Sequence, residues 1–323
     1  MPASYLALLE NGELRRRADA LLALLEECRA CPRHCRAKRL EDRRAVCRTG
    51  RYAEVASWCL HRGEEPCLSG RRGSGTVFFA HCNLKCLFCQ NVQISQRWEE
   101  GSAVKSPRQL AQIYLDLQEQ GAHNLNWVSP SHVVPQAVEA LALAAERGLR
   151  LPVVYNSNGY DELDVLRLLD GVVDIYLPDL KYADDAAALA FSKAVGYGAN
   201  AQAAVAEMWR QVGPLRCDEE DVATRGLLVR HLVLPGGLSQ TPEVLSFLAG
   251  ALGRDVAVSL MAQYFPAGGA ADHPRIGRTL TQGEWEAALA ALDAAGLGEG
   301  YVQDLTAPYH YTPDFEKGGH PFE

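Results

Sequence analysis

From Thr76 onward the chain alternates short apolar runs with amphipathic stretches, and this alternation restricts the fold more than any other feature. The runs 76–81, 125–129, 151–155, 173–177, 227–234 and 256–261 are β-branched and apolar on both faces, as parallel strands covered by helices should be. Helix ends are legible between them. Ser106-Pro107-Arg108-Gln109 offers a capping box with proline at the first helical position. Its helix carries Leu110, Ile113, Tyr114 and Leu117 on one face, and Gly121 stops it. The stretch 134–147 ends at Gly148, 241–252 ends at Gly253, and Thr281 to Glu284 repeats the capping box before 284–295, which Gly296 ends. Six βα units in series call for a parallel α/β sheet. With right-handed crossovers they can curl into an incomplete barrel or lie open as a doubly wound sheet. Periodicity alone does not choose between the two.

Composition narrows the class. At 323 residues, with 48% hydrophobic and 22% charged side chains, the chain is globular, and disorder or fibrous repeats are excluded. A formal charge of −8 excludes a protein that coats nucleic acid or an anionic membrane with its whole surface. No apolar run approaches the roughly 20 residues that span a bilayer. Residues 1–17 lack a signal-peptide layout, because Glu10 and Glu13 follow a short apolar stretch at once. The expectation is a cytoplasmic protein with no membrane partner.

Nine of the ten cysteines lie in the first 89 residues. In a cytosolic chain that clustering argues for metal rather than disulfides. The same region is basic: Arg29, Arg33, Arg36, Lys38, Arg39, Arg43, Arg44, Arg48 and Arg51 face only Glu41 and Asp42, so residues 28–51 carry about +7. A glycine-rich stretch at 70–75 follows. The organisation expected is a cysteine-rich metal-binding segment over 1–70, a core over 71–300 and a tail over 301–323.

The sharpest motif sits in the loop leaving the first predicted strand, where Cys82, Cys86 and Cys89 are spaced C-x3-C-x2-C. Three thiolates leave one corner of a [4Fe–4S] cubane open to an exogenous ligand. A structural zinc would want a fourth ligand, and His81, one residue before Cys82, is poorly placed to supply it.

With the aromatic Phe88 before its last cysteine, this loop resembles the signature of the radical S-adenosylmethionine (SAM) superfamily. The resemblance extends to one subgroup, the PflX-like proteins related to pyruvate formate-lyase activating enzymes. It is carried by Cys28-x2-Cys31-Pro32-Arg33-x-Cys35, His61-x-Gly63-Glu64-Glu65-Pro66, Cys89-Gln90-Asn91, Val154-Tyr155-Asn156-x3-Tyr160, Tyr176-Leu177-Pro178-Asp179-x-Lys181-Tyr182 and Arg230-His231-Leu232-Val233-Leu234-Pro235. It implies an α/β fold, a partial (βα)6 barrel with an N-terminal cysteine-rich extension. It also implies an enzyme in which SAM chelates the open iron and is cleaved reductively to a 5′-deoxyadenosyl radical that abstracts hydrogen. Cys82, Cys86 and Cys89 would ligate the catalytic cluster.

Carried over residue by residue, the resemblance places Phe88, Ser157, Asn158, Asp179, Lys181 and Arg230 around SAM. Where activating enzymes have a Gly-Gly-Glu element for the methionyl amine, this chain reads Ser129-Pro130-Ser131-His132; Ser129, Ser131 and His132 are the candidate replacements. The bland alternative for Asp179 and Lys181 is a strand-end salt bridge. Arg230 and His231 are adjacent in a strand, so one faces inward, and a buried Arg230 calls for a carboxylate or cofactor partner.

Cys28, Cys31, Cys35 and Cys47 supply four thiolates, enough to close a zinc site or to hold a second [4Fe–4S] cluster that relays electrons. Cys59, Cys67 and Cys217 read as substitutes or bystanders. The expected partners are a protein or small-molecule substrate, possible glycyl-radical enzymes included, and a low-potential donor such as flavodoxin or ferredoxin. A rival of another class is a zinc-stapled nucleic-acid-binding module. Only Tyr52 and Trp58 lie near the basic residues as stacking aromatics, which weighs against it. Tyr309, His310, Tyr311 and Phe315 in the tail form a candidate lid or a packed terminus.

Overall fold

The computed structural model describes residues 2–307, 313–315 and 320–322. Two helices open the chain, α1 (Tyr5–Glu10) and α2 (Glu13–Ala23), and bury Tyr5, Leu14, Ala18 and Leu21. After a long loop come β1 (Ala53–His61), α3 (Pro66–Ser69), β2 (Ser74–Phe79), α4 (Val92–Ser95) and β3 (Val104–Lys105). Then α5 (Pro107–Glu119), β4 (Leu125–Val128), α6 (Val134–Glu146), β5 (Val153–Asn156), α7 (Leu163–Leu168) and β6 (Ile175–Tyr176) alternate. The remainder is α8 (Asp185–Ser192), α9 (Tyr197–Val212), β7 (Arg216–Cys217), β8 (Ala223–Leu232), α10 (Thr241–Leu252), β9 (Ala257–Met261), α11 (Gln282–Ala295) and β10 (Gly300–Val302). Both capping boxes form, Ser106 with Gln109 and Thr281 with Glu284, each stabilising its helix by about 1 kcal/mol.

The order β2-β4-β5-β6-β8-β9 follows the chain, all parallel, and β10 adds a seventh parallel strand beside β9. This order decides between the two architectures that periodicity left open. A doubly wound sheet reverses its strand order midway and puts helices on both faces. Here no reversal occurs, so same-handed crossovers send every helix to one face and the sheet curls around the other. The outward side chains Val77, Phe79, Leu125, Trp127, Val153, Tyr155, Tyr176, Leu227 and Val229 are buried under the helices in one large core. The inward side chains Val154, Ile175, Leu177, Leu228 and Ala257 form a separate, smaller cluster with Cys67 and Leu68 of α3. That cluster plugs the lower end of an incomplete barrel.

The cysteine-rich region contributes directly to this body. β1 pairs antiparallel with β2, from Val55 opposite Phe79 to His61 opposite Ser74, so the expected boundary at residue 70 falls between two hydrogen-bonded strands of one sheet. Arg39, only 1% exposed, donates to the carbonyls of Gly50 (3.2 Å) and His132 (2.8 Å) and fastens the loop between α2 and β1 to the barrel. Other basic residues of the segment are engaged in the same way. Arg33 donates to the carbonyls of Asn83 and Lys193, Arg44 pairs with Glu54, Arg48 holds Gln96, Trp98 and Glu100, and Arg51 pairs with Glu139. Five of the nine cations are thus internal stitches, and Arg29, Arg36, Lys38 and Arg43 are left exposed.

Among the described tail residues, Phe315 packs edge-on against Phe78 at 5.2 Å, and Phe322 stacks on His61 at 4.1 Å. Tyr309, His310 and Tyr311 lie outside the described residues. Among the described residues, no helix is long and apolar enough to cross a membrane.

Candidate active site

Beyond Phe79 the chain leaves β2 through His81, whose left-handed backbone (φ 70°) turns the cysteine loop over the top of the sheet. The His81 ring faces Glu54 on β1, with Nε2 3.4 Å from Oε1, and not the three thiols. Leu84 N–H and Asn158 Nδ2 both reach Cys82 Sγ at 3.4 Å. Cys86 Sγ lies 3.0 Å from Ser192 Oγ, and Cys89 Sγ lies 3.1 Å from Ser95 Oγ. Burial pushes all three thiols up, Cys86 to about 12. Bare thiolates are therefore disfavoured here, and a bound cationic group would supply the missing charge. Each sulfur also has a donor, as a cluster ligand needs. On both counts the loop fits an iron–sulfur cluster.

Above the barrel opens a cavity of about 570 Å³, within the range of small-molecule sites. Of the residues expected around SAM, Phe88, Ser129, Ser157, Asn158, Asp179, Lys181 and Arg230 line it together with Cys82, Cys86 and Cys89. Phe88 is set edge-on to Tyr264 at 5.7 Å. Asn158 Nδ2 bridges Asn83 Oδ1 (2.7 Å) and Cys82 Sγ, tying the end of β5 to the cysteine loop.

Ser131 and His132 do not line the cavity. His132 is buried with Nε2 on the Ala80 carbonyl at 2.9 Å, and burial drives its pKa down to about 3, which keeps the ring neutral. The turn that carries Ser129 to His132 bends back toward β2 and Arg39. Ser129 itself holds a left-handed backbone (φ 56°), a conformation that glycine adopts without strain.

One charged relay crosses the cavity. Lys181 Nζ and Arg230 Nε each hold one oxygen of Asp179, at 2.5 and 2.8 Å. Arg230 NH2 reaches Asn156 Oδ1 at 2.6 Å, and NH1 lies 3.7 Å from Glu64 Oε2. Burial pushes the Asp179 carboxyl up, but the two cations outweigh it and hold it below the usual range. Arg230 is the inward residue of its pair. His231 faces out, bonded to the Leu180 carbonyl and Thr241.

Cys28, Cys31 and Cys47 are buried and Cys35 half-buried. The N–H groups of Ala30, Arg33 and Ala37 face the sulfurs of Cys28, Cys31 and Cys35, the same two-residue offset by which Leu84 serves Cys82. Among the described residues, no three Cys, His, Asp or Glu side chains converge to hold a single ion. Cys67 lies beneath the barrel beside Tyr301 and Cys217, apart from both sets.

The sequence model of the Radical SAM superfamily matches residues 76–214, which hold the cysteine loop and the strand ends through Lys181. A relative, described only as the uncharacterized protein MJ0674 of Methanocaldococcus jannaschii, is 32% identical over 288 residues, covering 87% of this chain and 77% of that protein. This chain belongs to the radical SAM superfamily. As for solved structures, it is similar to native anSMEcpe with bound AdoMet (10% identity, TM-score 0.47, 69% of this chain and 61% of that one). It is also similar to HydG, a maturase of the [FeFe]-hydrogenase (11%, 0.47, 68% and 49%), and to TYW1 with a lysine-pyruvate adduct bound (12%, 0.42, 68% and 73%). The chain therefore spans less than two thirds of the first two. Radical SAM membership implies a [4Fe–4S] cluster and SAM as cofactors.

Several residues of the radical SAM site had no assigned role in sequence. Ser192 and Ser95 touch the cysteine sulfurs, and Ser192 reaches Cys86 across 106 residues of chain. Glu64 and Glu65 also line the cavity. Their motif was visible, but nothing in its spacing says that α3 lifts it into the barrel.

Proposed function

We infer that the chain cleaves SAM reductively and turns the resulting radical on a small molecule. The observation that carries this reading is that Cys82, Cys86 and Cys89 open onto the same cavity as Asn158, Asp179, Lys181 and Arg230. When bound, the cluster supplies the electron that splits SAM into methionine and a 5′-deoxyadenosyl radical. The chain's own residues do the rest. Asn158 steadies Cys82, Phe88 and Tyr264 wall the cofactor side against water, and Asp179 fixes Lys181 and Arg230 as donors for anionic groups. The motifs at 28–35, 61–66 and 176–182 support a place in the PflX-like subgroup. A small substrate is favoured over the protein loop of a glycyl-radical enzyme because Thr306, Ala307, Pro313 and Phe322 of the tail line the cavity. For Cys28, Cys31, Cys35 and Cys47 we favour a second cluster over zinc, because the neighbouring chemistry consumes electrons that a second cluster could relay. The exposed Arg29, Arg36, Lys38 and Arg43 beside it suit an acidic donor such as flavodoxin or ferredoxin. Two cysteine sets that serve metal rather than disulfides suit a cytoplasmic compartment.

Anaerobic reconstitution followed by iron, sulfide and zinc analysis tests the metal content: about four irons mean one cluster and about eight mean two. Formation of 5′-deoxyadenosine under dithionite tests the chemistry, and its absence from the fully loaded protein would sink the reading.

A further inference from the structure

The loop between β1 and α3 enters the barrel from below. Cys67 and Leu68 of α3 pack on the inward side chains of β5, β6, β8 and β9, and this plug raises Glu64 and Glu65 to line the cavity. The Glu64 side chain is only 9% exposed. The two carboxyls lie against each other, with Asn126 beside Glu64, and Oε2 of each receives no donor from the rest of the chain. Asn156 Nδ2 reaches the other Glu64 oxygen at a long 3.4 Å. Arg230 is the nearest cation, but its Nε and NH2 are committed to Asp179 and Asn156, leaving only NH1 at 3.7 Å from Glu64. Three carboxyl groups thus face two cations. A desolvated carboxylate oxygen without a donor is costly and calls for a ligand that donates. Burial pushes both carboxyls up, Glu65 to about 7, as expected of a site waiting for positive charge.

A series of charged side chains also separates the pair from the cysteines. Cys86 neighbours Lys181, Lys181 holds Asp179, Asp179 holds Arg230, and Arg230 faces Glu64 and Glu65. A cofactor amine that chelates iron belongs at the first end of this series, which leaves the second end for the substrate.

We propose that Glu64 and Glu65 receive the protonated amine of the substrate, so that the enzyme acts on a small organic cation whose ammonium donates to the two open carboxylate oxygens. This rests on the radical SAM reading for where substrate sits, and it adds the substrate's chemical class. Charge-assisted hydrogen bonds of this kind change affinity by roughly tenfold or more each.

The test uses the full-length reconstituted protein and anaerobic calorimetry with four probes: cadaverine, agmatine, 1,5-pentanediol and glutarate. Cadaverine or agmatine should bind measurably tighter than the diol and glutarate. Their affinity should fall roughly tenfold or more in Glu64→Gln, with Glu65→Gln as the second variant should the first fail to fold. Amine binding no tighter than diol binding overturns the proposal. So does a Glu64→Gln variant whose KM for SAM rises while probe affinity holds, since the carboxylates would then serve the cofactor's ammonium. Binding of magnesium or calcium alone, without the amines, overturns it as well. Failure of the radical SAM reading is separable, because it appears as no 5′-deoxyadenosine from wild type while amine binding persists.

Discussion

Asp179→Asn is the most instructive single change. It keeps the shape of the side chain and removes the charge that Lys181 and Arg230 share at 2.5 and 2.8 Å. Breaking a buried ion pair by deleting one partner costs about 3–5 kcal/mol, because the other charge is left uncompensated. The three side chains retain 14–18% exposure and line an open cavity, so the lower figure, about 3 kcal/mol, applies. In an Arg230→Met background only Lys181 loses its partner, and the same change should cost about 1–2 kcal/mol. The folded carboxyl lies below its ordinary value. Its contribution is therefore present above the unfolded pKa, near 4, and is lost as pH falls through the lower folded value. Asp179→Asn should flatten that acid limb. Urea unfolding of the four proteins of the cycle at pH 7 and through the range from about pH 4 to pH 2 measures all of this. Strictly additive costs, or an Asp179→Asn penalty below about 0.5 kcal/mol at pH 7, would show that cavity water already screens the trio and that the relay is not an energetic unit.

The remaining predictions concern the two cysteine sets and one glycine. Cys86→Ala should fold, keep its far-UV circular dichroism, and lose both the iron of the barrel cluster and 5′-deoxyadenosine formation; cleavage at the wild-type rate would end the radical assignment. Cys31→Ser should open residues 24–52 to protease while β2 onward resists, because few apolar side chains other than the cysteines hold that loop. If the set relays electrons, the same variant slows turnover with a protein donor more than with dithionite. Gly159→Ala should destabilise by about 2 kcal/mol or more in thermal unfolding, since Gly159 sits at φ 77° and a Cβ there runs into the Asp179 carbonyl.

The barrel was readable because its units are local. The helix that Ser106 opens and Gly121 closes appears as α5, and the one opened by Thr281 appears as α11. Whether the sheet curled or lay flat was not readable, since strand order depends on pairings that no periodicity records. β1 was missed for a related reason. Its residues show no buried/exposed alternation, being buried in a row from Ala53 to Val55 and then half-buried or exposed up to Leu60, and they lie in a region whose cysteines and arginines drew a reading in terms of metal and charge. The basic excess was legible as composition but not as use, because a contact such as Arg39 with the His132 carbonyl spans 93 residues. The site shows the same division. Asp179 and Lys181 could be named from a motif, whereas the role of Glu64 depends on α3 plugging the barrel, a purely tertiary event.

The anchoring of the first helices sets a schedule for synthesis. The N–H and hydroxyl of Ser4 both donate to Asp174, which is translated 170 residues later. At roughly 5–20 residues per second the ribosome needs about 10–30 s to bridge that gap. The βα units from β2 to β5 can dock on one another in turn as they emerge, and α1 and α2 can pack on α6 once it appears, but the Ser4 anchor waits for Asp174.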